Sequence, residues 1–197
     1  MRRGAWILAA LALAGCAVSP YVPEITGRAV DAQQVRDWSA RGRLALAVGS
    51  DGGSGSFVWT QRGDVAQVRV QGPLGVGALD IVTDGEALTV SDAAGQRLDA
   101  DAAREQLRQR LGADLPLAQM RYWLLGLAAP GEPARLEAQD GRPRSLEQAG
   151  WTVRYEAVSA IQGWDVPQRL TASRESARVR LIVDEWQLPP AGPGASP

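Results

Sequence analysis

No histidine occurs in this chain of 197 residues, and cysteine occurs once, at position 16. Without histidine there is no Ser–His or Cys–His nucleophilic machinery, and the usual zinc sites are out of reach. The catalytic option left is a pair of carboxylates, as in glycosidases. The acids offered (Asp64, Asp84, Asp92, Asp140) stand in turn sequences or on polar faces, where they read as turn formers and solvated charges, so no enzyme is expected. Lysine is also missing, and every basic residue is Arg, for which a GC-rich coding bias is a sufficient explanation. A formal charge of −1 gives nucleic acid no basic surface to meet, so no nucleic-acid partner is expected. No cofactor and no metal are implied.

Long apolar runs are scarce as well. The one at the start, Ala5 to Ala14, covers only about ten residues, too short to cross a bilayer core of roughly 30 Å. With Arg2 and Arg3 before it and small residues after it, residues 1–15 read as a secretory signal. It ends at Leu13-Ala14-Gly15-Cys16, a close match to the bacterial lipobox. The plainer alternative is an ordinary signal peptide with a chance cysteine, but Cys16 has no possible disulfide partner in the chain. Cleavage before Cys16 would leave an acylated N-terminus, and two or more chains at about 0.8 kcal/mol per buried CH₂ anchor stably. Ala17, in place of an Asp, favours the outer membrane, facing the periplasm of a Gram-negative cell. Residues 16–28, broken by Pro20, Pro23 and Gly27, read as a flexible tether, and residues 189–197 as a disordered tail.

What lies between is mostly strand. A short amphipathic helix is expected over Val30–Trp38. The period then switches to two in "RLALAV", "SFVWTQR", "VAQVRVQ", "GALDIVT" and "ALTVSD", with Gly63-Asp64 and Asp84-Gly85 as hairpin turns and "GQRLDA" as a short strand. Two helices interrupt: one capped by Asp101 with an Ala103–Leu107–Leu111 stripe, the other running from Pro116 to Gly126. Strands resume in "ARLEAQ", "RSLEQAG", "WTVRYEAV", "QRLTASR" and "ARVRLIVDEW". Ten or eleven short strands with about three helices predict a mainly β domain over residues 29–188. Its expected architecture is an incomplete, unclosed antiparallel β-barrel. A barrel of this size can enclose one apolar ligand, as lipocalins do. Trp59, Trp151 and Trp186 fall on strands and Trp123 on a helix; a tryptophan-rich core explains them as well as a lined cavity does.

Taken in order, "LAGC", "RGRLAL", "FVWTQ", "QGPLG", "GQRLDADAAREQL", "LPLAQMRYWLLG", "GWTVRY", "VPQRL" and "VRLIVDEW" cover nearly all of the chain after the signal, and with them it resembles the LolB family. That resemblance implies an outer-membrane lipoprotein that receives lipoproteins from the periplasmic carrier LolA and inserts them into the membrane. It implies an unclosed barrel draped over helices, with a hydrophobic cavity for acyl chains. Candidate cavity residues are Phe57, Trp59, Leu79, Trp123, Leu124, Trp151, Tyr155 and Leu181. By motif, Leu74, between Pro73 and Gly75, becomes the tip of a protruding loop that works on the membrane. The implied partners are LolA, acylated lipoprotein cargo and outer-membrane phospholipid, with the protein acting as a monomer. Two other functions fit a tethered β domain: an assembly lipoprotein that binds only protein partners, and a carrier of other hydrophobic ligands.

Overall fold

The computed structural model describes residues 27–72, 77–98, 101–102, 105 and 115–191. Cys16, the signal, and Pro73, Leu74 and Gly75 lie outside the described residues.

Alternating sequences become one antiparallel sheet. In chain order its strands are β1 (Arg28–Ala29), β2 (Asp37–Val48), β3 (Asp51–Arg62), β4 (Val65–Gln71), β5 (Leu79–Thr83), β6 (Leu88–Asp92) and β7 (Arg97–Leu98), then β8 (Ala134–Gln139), β9 (Arg142–Gln148), β10 (Trp151–Ile161), β11 (Trp164–Arg174) and β12 (Ala177–Gln187). Across the sheet the order is β7-β6-β5-β4-β3-β2-β12-β11-β10-β9-β8, with β1 attached in parallel to β11. Every antiparallel neighbour is a sequence neighbour except β2 and β12, which meet in the middle. The two ends of the order, β7 and β8, do not pair, so the sheet is unclosed. The acids at its turns behave as turn formers: Asp84 Oδ1 accepts the Glu86 and Ala87 amides, and Asp92 Oδ1 those of Ala94 and Gln96.

The helix expected over Val30–Trp38 is not there. Those residues form a turn, held by Asp31 carboxylate bonds to the Gln33 amide and the Gln34 side chain, and then enter β2. Trp38 fits a helical spacing from Val30, but it fits a period of two equally well: Trp38, Ala40, Gly42, Leu44 and Leu46 all face inward along β2. The middle helix is seen only at Asp101, Ala102 and Glu105; its stripe of Ala103, Leu107 and Leu111 lies outside the described residues. The third is present as α1, Leu117–Trp123. It ends as its sequence predicts, with Gly126 at φ 79° and the Leu127 amide bonded back to the Tyr122 carbonyl at 3.0 Å. At the chain ends, Arg28 already pairs in β1, where the tether was expected to run through residue 28. Pro189 and Ala191 are likewise bonded to the β10–β11 hairpin, inside the expected tail.

Small residues on β2 make room for large ones beside them. Ala40 stands opposite both Trp59 and Trp186, and Gly42 opposite Phe57. Gly42 also faces the bulge in β12 between Val183 and Glu185, where a Cβ would overlap the Ile182 carbonyl oxygen. The strands cannot part to accept it without breaking the central pairing of the sheet. Gly42→Ala is therefore expected to cost about 3 kcal/mol, read as a lower urea midpoint at unchanged slope. A midpoint shift of under ~0.5 kcal/mol equivalent, the level of an ordinary surface substitution, would refute this. On the outer face, Arg43–Asp184 and Arg41–Glu185 link β2 to β12, and Arg180–Glu156 reaches across β11 from β12 to β10. All are substantially exposed, and such pairs add little stability.

Candidate functional site

The curl of the sheet brings four strands under α1. β2 supplies Leu44 and Leu46, β3 Phe57 and Trp59, β4 Val68 and Val70, and β12 Val179 and Leu181. Register fixes their contacts: Leu181 lies opposite Leu44, Val179 opposite Leu46, Val70 opposite Phe57 and Val68 opposite Trp59. Leu117 and Met120 of α1, with Leu115 just before it, close the open side. The result is a seam of about 50 Å³ with only apolar side chains in its walls. Its floor is rigid, because Trp59 is stacked on Trp38 (centroids 5.9 Å apart) and its indole N–H donates to Gln61 Oε1 at 3.0 Å. Its roof is looser, since Leu115 and Leu117 are only half-buried.

The structure divides the sequence-derived cavity candidates. Phe57, Trp59 and Leu181 line the seam. Leu79, on β5, is buried in the same continuous core but not in the seam wall. Trp123, Leu124 and Trp151 are buried elsewhere, around the end of α1. There the Trp123 indole donates to Gln148 Oε1 at 3.0 Å and the ring leans on Trp151 at 6.3 Å. Gln148 also holds Ala129 through both amide and carbonyl, at 2.9 and 2.7 Å, so this cluster ties α1 to β9. None of Trp123, Leu124 and Trp151 lines the seam. Tyr155 is buried on β10, beside a separate polar groove, and burial pushes its phenol well above the ordinary range.

Leu44, Leu46, Val68, Val70 and Val179 were legible as inward strand positions but not as wall residues. That assignment needs the β2–β12 pairing, which joins the two ends of the chain.

The fold is an antiparallel sheet left open at its edges and curled over an apolar seam under a short helix, and it recurs among solved structures. A solved LolA superfamily protein from Nitrosomonas europaea superposes with a TM-score of 0.51 at 16% identity, over 79% of this chain and 87% of that one. The sequence goes further than the fold: residues 36–186 match the family model described as outer membrane lipoprotein LolB, and the chain belongs to that family. The outer-membrane lipoprotein LolB of Alkalilimnicola ehrlichii is 39% identical over 200 residues, spanning 96% of this chain and all of the relative. That of Halorhodospira halophila is 36% identical over 190 residues, spanning 92% and 93%. The protein is thus an outer-membrane lipoprotein of the lipoprotein-localization machinery.

Proposed function

We propose that this protein receives acylated lipoproteins from LolA, holds their acyl chains in the seam beneath α1, and releases them into the outer membrane. The observation that carries this reading is the seam itself, a wall of apolar side chains contributed by four strands and roofed by a half-buried helix. No covalent step is involved. Without ATP, transfer has to run downhill in free energy: the carrier binds the chains, the seam binds them somewhat better, and the bilayer best. A seam that is apolar but not tightly preformed suits the middle position. At about 50 Å³ it is far smaller than the ~150 Å³ cavity that admits one benzene. Cargo must therefore lift Leu115, Leu117 and Met120 off the sheet. That displacement weakens the hold on the acyl chain and keeps release favourable.

The division of the chain follows. Residues 1–15 act as the signal, Cys16 carries the acyl anchor, and a single copy of the β domain does the receiving. The anchor localises the protein and takes no part in receipt.

Titration of the soluble Cys16→Ala form with an acylated peptide, followed by tryptophan fluorescence, tests the reading. A saturable change is expected, reduced in Trp59→Phe because Trp59 is the seam's fluorophore. The same soluble form should take cargo from LolA in solution. A protein that binds only protein partners would show no saturable response to the peptide, and that result would overturn the proposal. Filling the seam gives a second test. Leu117→Trp puts a larger ring under the roof, and is expected to weaken acyl-peptide binding about tenfold or more while costing under ~1.5 kcal/mol in stability. Unchanged affinity would remove the seam from the binding site.

A further inference from the structure

Strands β9 and β10 run side by side only where Trp151 to Arg154 face Gln148 to Ser145. Beyond that they part. Arg144, Pro143 and Arg142 continue β9 alongside β8, while β10 goes on from Tyr155 alongside β11. The fork between them is an open groove of about 720 Å³, room for about two dozen waters. Arg142 and Arg144 stand on one side and Tyr155 to Val158 on the other, and Asp165 of β11 lines it as well. From Tyr155 to Val158, β10 has no strand on its β9 side among the described residues. Such an edge offers backbone N–H and C=O groups to an extended chain laid beside it.

Two side chains in the groove are short of partners. Among the described residues, Tyr155 Oη and Asp165 Oδ1 are buried without a hydrogen bond, and each residue is only 5% exposed. Arg142 Nη2 lies 3.2 Å from the Asp165 oxygen, but not in hydrogen-bonding alignment. A buried polar atom left unpaired costs about 1–3 kcal/mol, and native structures hold few. One of the two is a donor, because burial raises the pKa of the Tyr155 phenol and keeps its proton on. The other, a carboxylate oxygen, is an acceptor. A peptide bond supplies the matching pair, a C=O and an N–H. Charges of both signs around them, Arg142 and Arg144 against Asp140, favour neither acidic nor basic side chains.

The groove also continues the seam. Leu44, Leu181, Leu170 and Tyr155 stand opposite one another in turn across β2, β12, β11 and β10. Residues directly opposite project from one face, so a single row runs from Leu44 and Leu181 in the seam to Tyr155 in the groove. Two strand spacings, about 10 Å, separate Leu181 from Tyr155, a gap that about three extended residues span.

We propose that the fork takes the polypeptide that directly follows the acylated cysteine of the cargo, laid as an extended segment along β10 while the acyl chains occupy the seam. The inference rests on the seam being the acyl site. Backbone contacts require no particular side chain, so lipoproteins of unrelated sequence are held alike.

Calorimetric titration of the soluble Cys16→Ala form with two probes tests the proposal. One is S-(dihexanoylglyceryl)cysteine amide; the other is the same lipid-cysteine extended by five Gly and Ser residues. The extended probe is expected to bind at least about tenfold more tightly. Tyr155→Phe removes only an unpaired hydroxyl, so stability is kept or raised, and it is expected to cut that advantage about fivefold. Val158→Arg, which fills the groove, is expected to abolish it. Neither variant should alter binding of the short probe, which Leu117→Trp should weaken. Equal binding of the two probes overturns the proposal and leaves the seam as the acyl site. An advantage that survives both Tyr155→Phe and Val158→Arg overturns it too, whereas binding of neither probe removes the seam reading itself and this proposal with it. A tighter hold on dihexanoylphosphatidylethanolamine than on dihexanoylglycerol, lost in Tyr155→Phe, would make the groove a headgroup site and overturn it as well.

Discussion

Replacing Leu74 by Glu is expected to leave folding and receipt of cargo from LolA nearly intact while reducing insertion into membranes about tenfold or more. β4 ends at Gln71 and β5 begins at Leu79, so by sequence Leu74 belongs to the connection between them. An apolar residue gains nothing by standing in a turn exposed to water, and exposed apolar tips commonly mark contact sites. Seated in the periplasm-facing leaflet of the outer membrane, one Leu side chain is worth about 1.5–3 kcal/mol, enough to bias how the domain meets lipid but not to anchor it. Leu74→Ile and Leu74→Phe should work nearly as well as the parent, because the requirement is apolarity. An assay that scores receipt and insertion separately decides the matter. Loss of receipt, with insertion per bound cargo unchanged, would place Leu74 in the folded wall of the domain instead.

Trp59→Ala is expected to lower stability by about 4 kcal/mol, which for a domain of this size corresponds to a fall of about 10 °C in Tm. Trp59 is 2% exposed, stacked on Trp38, and hydrogen-bonded to Gln61, which in turn donates to the Gly63 carbonyl at 2.9 Å. Truncation would open a void in the seam's floor and leave the Gln61 carbonyl oxygen without its donor. Cargo binding should fall together with stability here, whereas Leu117→Trp in the roof should separate the two. Thermal melts beside acyl-peptide titrations would show it. A Trp59→Ala protein that melts within 2 °C of the parent, less than about 1 kcal/mol, would mean the floor is not under this load.

Strands were legible wherever apolar residues alternate with polar ones, as in "VAQVRVQ" and "ARVRLIVDEW", because a sheet with one dry face imposes that period on its sequence. The first half of β3, "DGGSGS", has no such pattern; its residues are mostly exposed and pair only because β2 beside it is long. The mistaken helix at Val30–Trp38 shows the converse limit. Val30, Val35 and Trp38 are all buried, yet it is a turn and a strand start that bury them, and spacing alone does not distinguish these from one helical stripe. Of the site, Phe57, Trp59 and Leu181 could be named from their strands. The roof residues Leu115, Leu117 and Met120 could not, because which face of α1 meets the sheet is settled by tertiary packing. Trp151 on a strand and Trp123 on a helix were candidates for the wall beside Trp59, and neither lines the seam; Trp123 is bonded to Gln148, a buried partner that no local pattern links to a helix 25 residues earlier.

The meeting of β2 and β12 at the centre of the sheet also orders events in time. A chain made and delivered N-terminus first can assemble the β2–β7 ladder early, since each of its pairings closes only a short loop. β12 comes last of all the strands, and its contact with β2 closes a loop from Val48 to Ala177. Until then β2 is an open edge with apolar residues on one face, the kind of surface that seeks another strand. Val179 and Leu181, a quarter of the strand residues in the wall beneath α1, are absent for the same interval. If the seam holds acyl chains as proposed, a nascent or half-exported chain has no place to put one, and cargo is accepted only by a molecule that has finished folding.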